Sequence, residues 1–232
     1  LVTGVQTCAL PICYDLPVGS KGKIPSSKTY NAKYPNNNWY ATATISNAIG
    51  QGEVLLTPIQ MANFTAAIAN RGWWVRPHVI KNIQDHDTIA KGFKHKNKTS
   101  IDPKYFEPII EGMHDVYRDG TASFLEIPDI EICGKTGTAE NFKKINGSVK
   151  QLTDHSVFVA FAPKDNPKIA IAVFVENGYW GARWAGRIAS LMIEKYIKGE
   201  ITRTDMEAFV LNGSLEEEYN KPYAGKPFKI NQ

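Results

Sequence analysis

Apolar residues recur in distinct periods along this chain, and the periods change from segment to segment. Residues 14–44 show no period and are rich in Pro, Gly, Ser, Asn and Lys, so they read as an extended loop with short strand pieces. From Ile59 to Ala69 the residues are almost all apolar, with no continuous polar face, which predicts a helix over 57–71 that is buried on most sides. Its start is marked by Thr57 as N-cap, Pro58 at the first helical position and Gln60 completing a capping box, and its stop by Gly72. Trp73 to Ile83 reads as a strand followed by a loop. Phe106, Ile109, Ile110, Met113 and Val116 are spaced three and four apart, predicting a second helix over 103–118 that opens at Asp102-Pro103.

Shorter apolar runs follow. Glu131–Ala139, Val157–Ala162 and Ile169–Val175 predict three strands. The last two are separated by the turn-rich Pro163–Pro167 and form an expected antiparallel hairpin. Both of these strands are apolar on both faces, so helices are expected on both sides of the sheet. Ala160, Ala162, Ala170 and Ala172 are expected to make one small-residue face. Ala185, Ile188, Ala189, Met192, Ile193 and Tyr196 give a last helix over 184–198, stopped by Gly199. The tail from 200 onward, with Glu216–Glu218, is expected to be a peripheral helix with a partly disordered end.

The bulk properties are those of an ordinary globular chain: 232 residues, 43% hydrophobic, 22% charged, net charge +4 and pI near 8.8. The lysines are scattered, and the densest run, Lys91 to Lys98, sits in a polar segment. It reads as a solvated loop, not a nucleic-acid patch. No apolar run has the length of a membrane span. Cys8, Cys13 and Cys133 show no metal-binding spacing. Val2 to Ile12 resembles the translation of a sequencing adapter. Residues 1–13 are therefore expected to be foreign, with native sequence from about Tyr14.

The segment with recognisable chemistry is Gly134-Lys135-Thr136-Gly137-Thr138-Ala139. A K-T-G strand is found in serine acyltransferases that react with β-lactams. Such a strand lies beside the nucleophile and offers its backbone to the substrate. Gly137 allows close approach, the Thr138 N–H can face a developing oxyanion, and Lys135 and Thr136 favour a carboxylate. Further segments occur in order around it: I-G-Q-G-E-V-L-L-T-P-I-Q-M-A from Ile49, R-P-H from Arg76, F-V-A-F-A-P from Phe158 and K-I-A-I-A-V-F-V-E-N-G from Lys168. Together they resemble the class B penicillin-binding proteins of the cell-elongation type, over about Tyr14 to Gly199.

That resemblance implies an α+β fold of the penicillin-binding and serine β-lactamase type, an antiparallel sheet flanked by helices. The 57–71 helix would lie behind the sheet and the last helix on its other face. It implies a peptidoglycan D,D-transpeptidase anchored in the inner membrane with its catalytic domain in the periplasm. Its partners would be stem peptides, β-lactams and a membrane glycosyltransferase of the elongation complex. Lys135 and Thr138 would be catalytic, and Thr136, Gly137 and Thr138 would bind substrate. Two other readings share the fold: a serine β-lactamase, and a non-catalytic β-lactam sensor or scaffold.

The family's nucleophile sits in an S-x-x-K motif and a second motif reads S-x-N. Ser20-Lys21-Gly22-Lys23 spells the first literally, but Gly22 and the nearby Pro17, Gly19 and Pro25 disfavour the helix that would put Ser20 and Lys23 on one face. Tyr34-Pro35-Asn36 spells a variant of the second and lies too close to the first for the family layout. Ser46-Asn47-Ala48 does not match. The nucleophile is expected upstream of this chain. His155, His78, Glu176, Asn177 and the tryptophans are weaker site candidates, with structural roles expected for the two histidines.

Overall fold

The computed structural model describes residues 20–34, 36, 38–79, 91–219, 222–223 and 226–227. The segment expected to be foreign, 1–13, lies outside the described residues, as does the end of the Trp73–Ile83 stretch. The chain divides into two compact units, up to Phe106 and from Glu107.

The first unit carries helices α1 (Ser27–Lys33), α2 (Tyr40–Ala48), α3 (Pro58–Ala69) and the short α4 (Lys91–Lys94). Strands β1 (Trp73–Trp74) and β2 (Asn97–Lys98) pair antiparallel. The capping box of α3 forms as expected: Thr57 Oγ1 accepts from the Gln60 N–H, and Gln60 Oε1 accepts from the Thr57 N–H at 2.8 Å. The same Gln60 side chain donates from Nε2 to Lys21 O, which explains why a polar residue is buried there. Every residue from Gln60 to Ala69 is buried or partly buried, as expected for this helix; polar Gln60, Asn63 and Thr65 are among the buried ones, and only the first turn, at Pro58 and Ile59, is exposed.

The second unit holds α5 (Glu107–Arg118), strands β3 (Cys133–Ile145), β4 (Ser148–Ala162) and β5 (Ile169–Val175), then α6 (Arg187–Lys198), α7 (Thr204–Asn212) and α8 (Glu216–Tyr219). A separate hairpin, β6 (Pro222–Tyr223) with β7 (Lys226–Pro227), follows. The three long strands form one antiparallel sheet in the order β3-β4-β5. A 3-10 turn over Pro103–Tyr105, capped by Asp102, stands where the sequence predicts the first turn of α5. Ile109 is exposed, and Tyr117 takes its place beside Ile110 and Met113 on the buried stripe.

The sheet register corrects the expected alanine face. Residues directly opposite in an antiparallel pair share a face. Ala160 stands opposite Ile171 and Ala162 opposite Ile169, whereas Ala170 and Ala172 stand opposite Phe161 and Val159. The four alanines are therefore split between the two faces. The face with Phe158, Ala160, Ala162 and Ile171 joins Leu125, Ile132, Ala185, Ala189 and Ile193 in one core.

A π-type turn, Ala182–Gly186, precedes α6, with the Gly186 N–H reaching back to Gly181 O at 3.0 Å. It rotates the helix relative to the expected stripe. Met192 and Tyr196 face solvent, and Ser190 and Glu194 are buried. Both buried polar groups are satisfied: Ser190 Oγ donates to Leu125 O, and Glu194 accepts from Thr202 Oγ1 and Arg203 Nε. Burial alone would raise the Glu194 pKa, but those hydrogen bonds outweigh it and hold the carboxyl below its ordinary value. The peripheral helix α8 is tied to the turn before α6. Glu218 of α8 is fully buried and accepts from Trp184 Nε1 at 2.9 Å and from Arg183 Nε.

Candidate active site

The K-T-G-T segment occupies the first half of β3, which is the edge strand of its sheet among the described residues. An edge strand leaves alternate N–H and C=O groups without a ladder partner, so it can pair with an added extended chain. The strand enters the core at Ile132, Cys133 and Gly134, all buried, and opens to solvent at Lys135.

The register separates the side chains. Lys135 and Gly137 stand opposite Val159 and Val157 on one face, and Thr136 and Thr138 stand opposite Phe158 and Ser156 on the other. The structure therefore unites these residues along one edge, not on one face. Lys135 is exposed, and its Nζ donates to Thr136 O at 2.9 Å. Thr136 Oγ1 lies 3.2 Å from Thr121 Oγ1, in the turn after α5. Thr138 is exposed.

The two glycines differ in what surrounds them. A Cβ at Gly134 would meet Tyr117 at 2.9 Å, Val159 O at 3.0 Å and Ala160 at 3.1 Å, so packing alone requires glycine. A Cβ at Gly137 would meet only Val157, at 3.3 Å and beyond. Gly137 is less tightly constrained than Gly134, since a small shift of Val157 would seat a Cβ there.

Three features of this edge lie outside the sequence-derived site. Thr121 is one. Ser156 is the second: buried opposite Thr138, its Oγ lies 2.7 Å from Trp180 O and 3.1 Å from Gly181 O, and it accepts from the Ala185 N–H at 3.1 Å. The third is the Asn177–Gly181 turn. Asn177 and Tyr179 both have positive φ, which is uncommon for non-glycine residues. The Tyr179 N–H donates to Asp154 O at 2.9 Å. The available signal for Ser156 was its period-two spacing from Phe158 and Ala160, which places a hydroxyl on a core face.

Asp154 is almost fully buried, and burial raises its pKa against weaker opposing hydrogen bonds from Asn141 and Gln151. His155 has a structural role, as expected: its Nδ1 accepts from the Asn177 N–H and its ring packs on Phe174. Asn177 Oδ1 accepts from Asn141 Nδ2 at 2.9 Å, so Asn177 ties the turn to the hairpin. His78 packs against Phe93 with Nδ1 3.2 Å from Arg76 O, also a structural arrangement. Trp184 is a core anchor, and Trp180 is exposed. Ser20 and Lys23 precede the first helix. Ser20 Oγ accepts from the Gly22 N–H, and Lys23 pairs through its backbone with Leu55, so the two do not share a helical face.

Residues 15–194 match the penicillin binding protein transpeptidase domain family. The chain is 37% identical over 182 residues to the peptidoglycan D,D-transpeptidase MrdA of Acinetobacter baumannii, covering 72% of this chain and 26% of that protein. It is similar to the crystal structure of Pseudomonas aeruginosa PBP2 in complex with WCK 5153 at a TM-score of 0.69 and 30% identity, covering 86% of this chain and 44% of that one. A second solved structure, described as the structural coordination of polymerization and crosslinking by a peptidoglycan synthase complex, matches at a TM-score of 0.61 and 26% identity, over 90% of this chain and 32% of that one. The chain thus spans about a quarter of the length of the A. baumannii relative. On this family match, fold and sequence order, the chain belongs to the penicillin-binding protein transpeptidase family, within its class B, PBP2-like branch.

Proposed function

We propose that the full-length protein carrying this chain is a peptidoglycan D,D-transpeptidase, and that β3 forms one wall of its active site. The observation that carries this reading is the Lys135–Thr138 segment on the edge strand of the sheet, with Lys135 and Thr138 exposed. A stem peptide ending in D-alanyl-D-alanine lies along that edge. A serine outside the described residues attacks the penultimate carbonyl and releases the terminal D-alanine. The acyl group then passes to an amine of a neighbouring strand. Lys135 favours the terminal carboxylate and assists proton movement. Thr136 and Thr138 hold that carboxylate, and the Thr138 N–H contributes to the oxyanion hole. Neither a metal nor an organic cofactor enters these steps. β-Lactams acylate the same serine.

In the cell the protein acts at the inner membrane with this domain in the periplasm, beside a membrane glycosyltransferase. The similarity to a synthase complex that couples polymerization to crosslinking supports that partner. No helix among the described residues is long and apolar enough to cross a membrane.

The test is the second-order rate of acylation by a fluorescent penicillin in the full-length protein. Loss of one transition-state contact costs roughly 3 kcal/mol, about a hundredfold in rate. Lys135→Ala should slow acylation by about that factor with an unchanged circular dichroism spectrum. Thr138→Ala should cost less, because its N–H remains. Lys168→Ala, in the turn before β5, should be neutral. Equal rates for Lys135→Ala and wild type would remove β3 from the active site.

A further inference from the structure

The first unit holds a cavity of about 190 Å³ between α1 and the start of α2. That is below the roughly 300 Å³ at which pockets for drug-sized molecules begin, so the cavity seats one small ring at a time. Three aromatic rings line it. Tyr30 and Tyr34 lie one turn apart at the end of α1, with ring centroids 6.4 Å apart. Trp39, at the N-cap of α2, stacks on Tyr30 at 4.8 Å. Two polar tips are tied down: the Tyr30 hydroxyl donates to Asn47 Oδ1 and Trp39 Nε1 donates to Asn31 Oδ1, each at 3.0 Å. These two rings are therefore fixed before a ligand arrives, which lowers the entropic cost of binding.

The rest of the lining is polar and partly unused. Thr42 and Ser46 stand one turn apart on one face of α2. Thr42 Oγ1 donates to Trp39 O at 3.3 Å, whereas the Ser46 hydroxyl and the Asn38 amide make no hydrogen bond to the described residues. Charge then decides the class of ligand. The one carboxylate in the lining, Glu53, pairs with Lys33 and lies 3.6 Å from Lys23. Lys33 Nζ also sits 5.4 Å from the centroid of the Tyr34 ring. A cationic ligand would find both its carboxylate and one of its aromatic faces taken by Lys33. An anion would find no lysine or arginine in the lining. What fits is a neutral ring with an apolar face for the aromatic residues and hydroxyl or amide groups on its rim for Asn38, Thr42 and Ser46. A pyranose is built that way, with C–H bonds on its faces and hydroxyls around its edge. We propose that this cavity is a saccharide site, seating one uncharged sugar ring against the aromatic lining, with the Asn38 and Ser46 side chains bonding its rim. The site is independent of the chemistry at β3. Only the source of the sugar rests on the transpeptidase reading: there the ring is an N-acetylated amino sugar of the glycan that carries the stem peptides.

The experiment uses the full-length protein and the β-1,4-linked tetramer of N-acetylglucosamine as probe. Calorimetric titration should give a Kd on the order of 1 mM, as contact through one ring allows. The Trp39 indole N–H resonance, assigned by its loss in Trp39→Phe, should shift as the sugar is added. The double variant Asn38→Ala/Ser46→Ala should weaken binding at least tenfold while its melting temperature holds, since neither side chain bonds a described residue. Tetramethylammonium and hexaproline, the probes for a cation cage and for an aromatic peptide groove, should leave the Trp39 resonance in place. No binding of the sugar, equal binding by the double variant, or a Trp39 shift with either control in place of the sugar would overturn the saccharide site. A wild-type protein that benzylpenicillin does not acylate would instead overturn the transpeptidase reading. The titration would still judge the cavity in that case, since sugar binding needs no nucleophile.

Discussion

A Cβ added at Gly134 meets Tyr117 at 2.9 Å, whereas one added at Gly137 meets only Val157, at 3.3 Å and beyond. The same substitution at these two positions therefore separates packing from chemistry. Gly134→Ala forces the Tyr117 ring and the Ala160 methyl apart inside the core, and overpacking of this kind costs about 1–3 kcal/mol. Gly137→Ala asks only a small adjustment of Val157, but its methyl enters the space that an incoming backbone would use. In urea denaturation, Gly134→Ala should lower the midpoint clearly and Gly137→Ala should barely move it. In penicillin acylation of the full-length protein the order should reverse, with Gly137→Ala the slower relative to its stability. If Gly137→Ala acylates at the wild-type rate, the β3 edge at Gly137 is not where substrate sits. The K-T-G-T residues were legible in the sequence because each has a role that depends on residue type. Thr121 and Ser156 were not, because a hydroxyl facing a strand becomes informative only once the register is known.

Strand β4 begins at Ser148, nine residues before the Val157 start that the apolar pattern predicts. The missed half is mostly polar, exposed at Ser148–Lys150 and buried at Thr153, Asp154 and Ser156, and its apolar alternation is weak. The usable signal was Asn146-Gly147, a dipeptide that favours the two-residue turn of a hairpin. By contrast, β5 and the capped start of α3 were legible to the residue, since one is a continuous apolar run and the other carries a complete capping box. The extended hairpin also holds Asp154, whose carboxyl is buried and whose pKa is raised by that burial. The sign of its effect on stability follows from linkage. A carboxyl whose folded pKa lies above its unfolded pKa penalises the folded state where the group must ionise. The penalty is absent below the unfolded pKa, grows as pH rises toward the folded pKa, and is complete above it. Asp154→Asn removes the ionisation and nearly preserves the shape. It should raise the melting temperature at pH 7, with the gain shrinking as pH falls through the ordinary aspartate range. A gain that is equal at pH 7 and pH 3.5, or absent at both, would show that burial in the hairpin does not raise the Asp154 pKa.

At the scale of the second unit, elements distant in sequence converge on the K-T-G-T strand from behind. The π-type turn brings Gly181 against the Gly137 backbone, and Ser156 ties that turn to the strand opposite Thr138. The turn is held in its own right by α8: buried Glu218 accepts from Trp184 Nε1 and pairs with Arg183. The sequence gives little warning of this, because three consecutive glutamates look alike, and only docking of α8 selects one of them for burial. Removing the Glu218 side chain leaves the Trp184 N–H without an acceptor, at about 1–3 kcal/mol, and strands a partly buried guanidinium. Breaking a buried ion pair from one side costs about 3–5 kcal/mol, and Arg183, about a quarter exposed, belongs at the low end of that range. Glu218→Ala should therefore destabilise the second unit by about 3 kcal/mol in urea denaturation. Glu218→Gln keeps an acceptor for Trp184 and should cost about half as much, while Glu216→Ala and Glu217→Ala, both exposed, should be neutral. Because the turn backs the strand, Glu218→Ala in the full-length protein should also slow penicillin acylation by more than Glu217→Ala at a temperature where both remain folded. Stability and acylation that are unchanged in Glu218→Ala would make α8 a passenger, with the π-type turn held by the sheet alone.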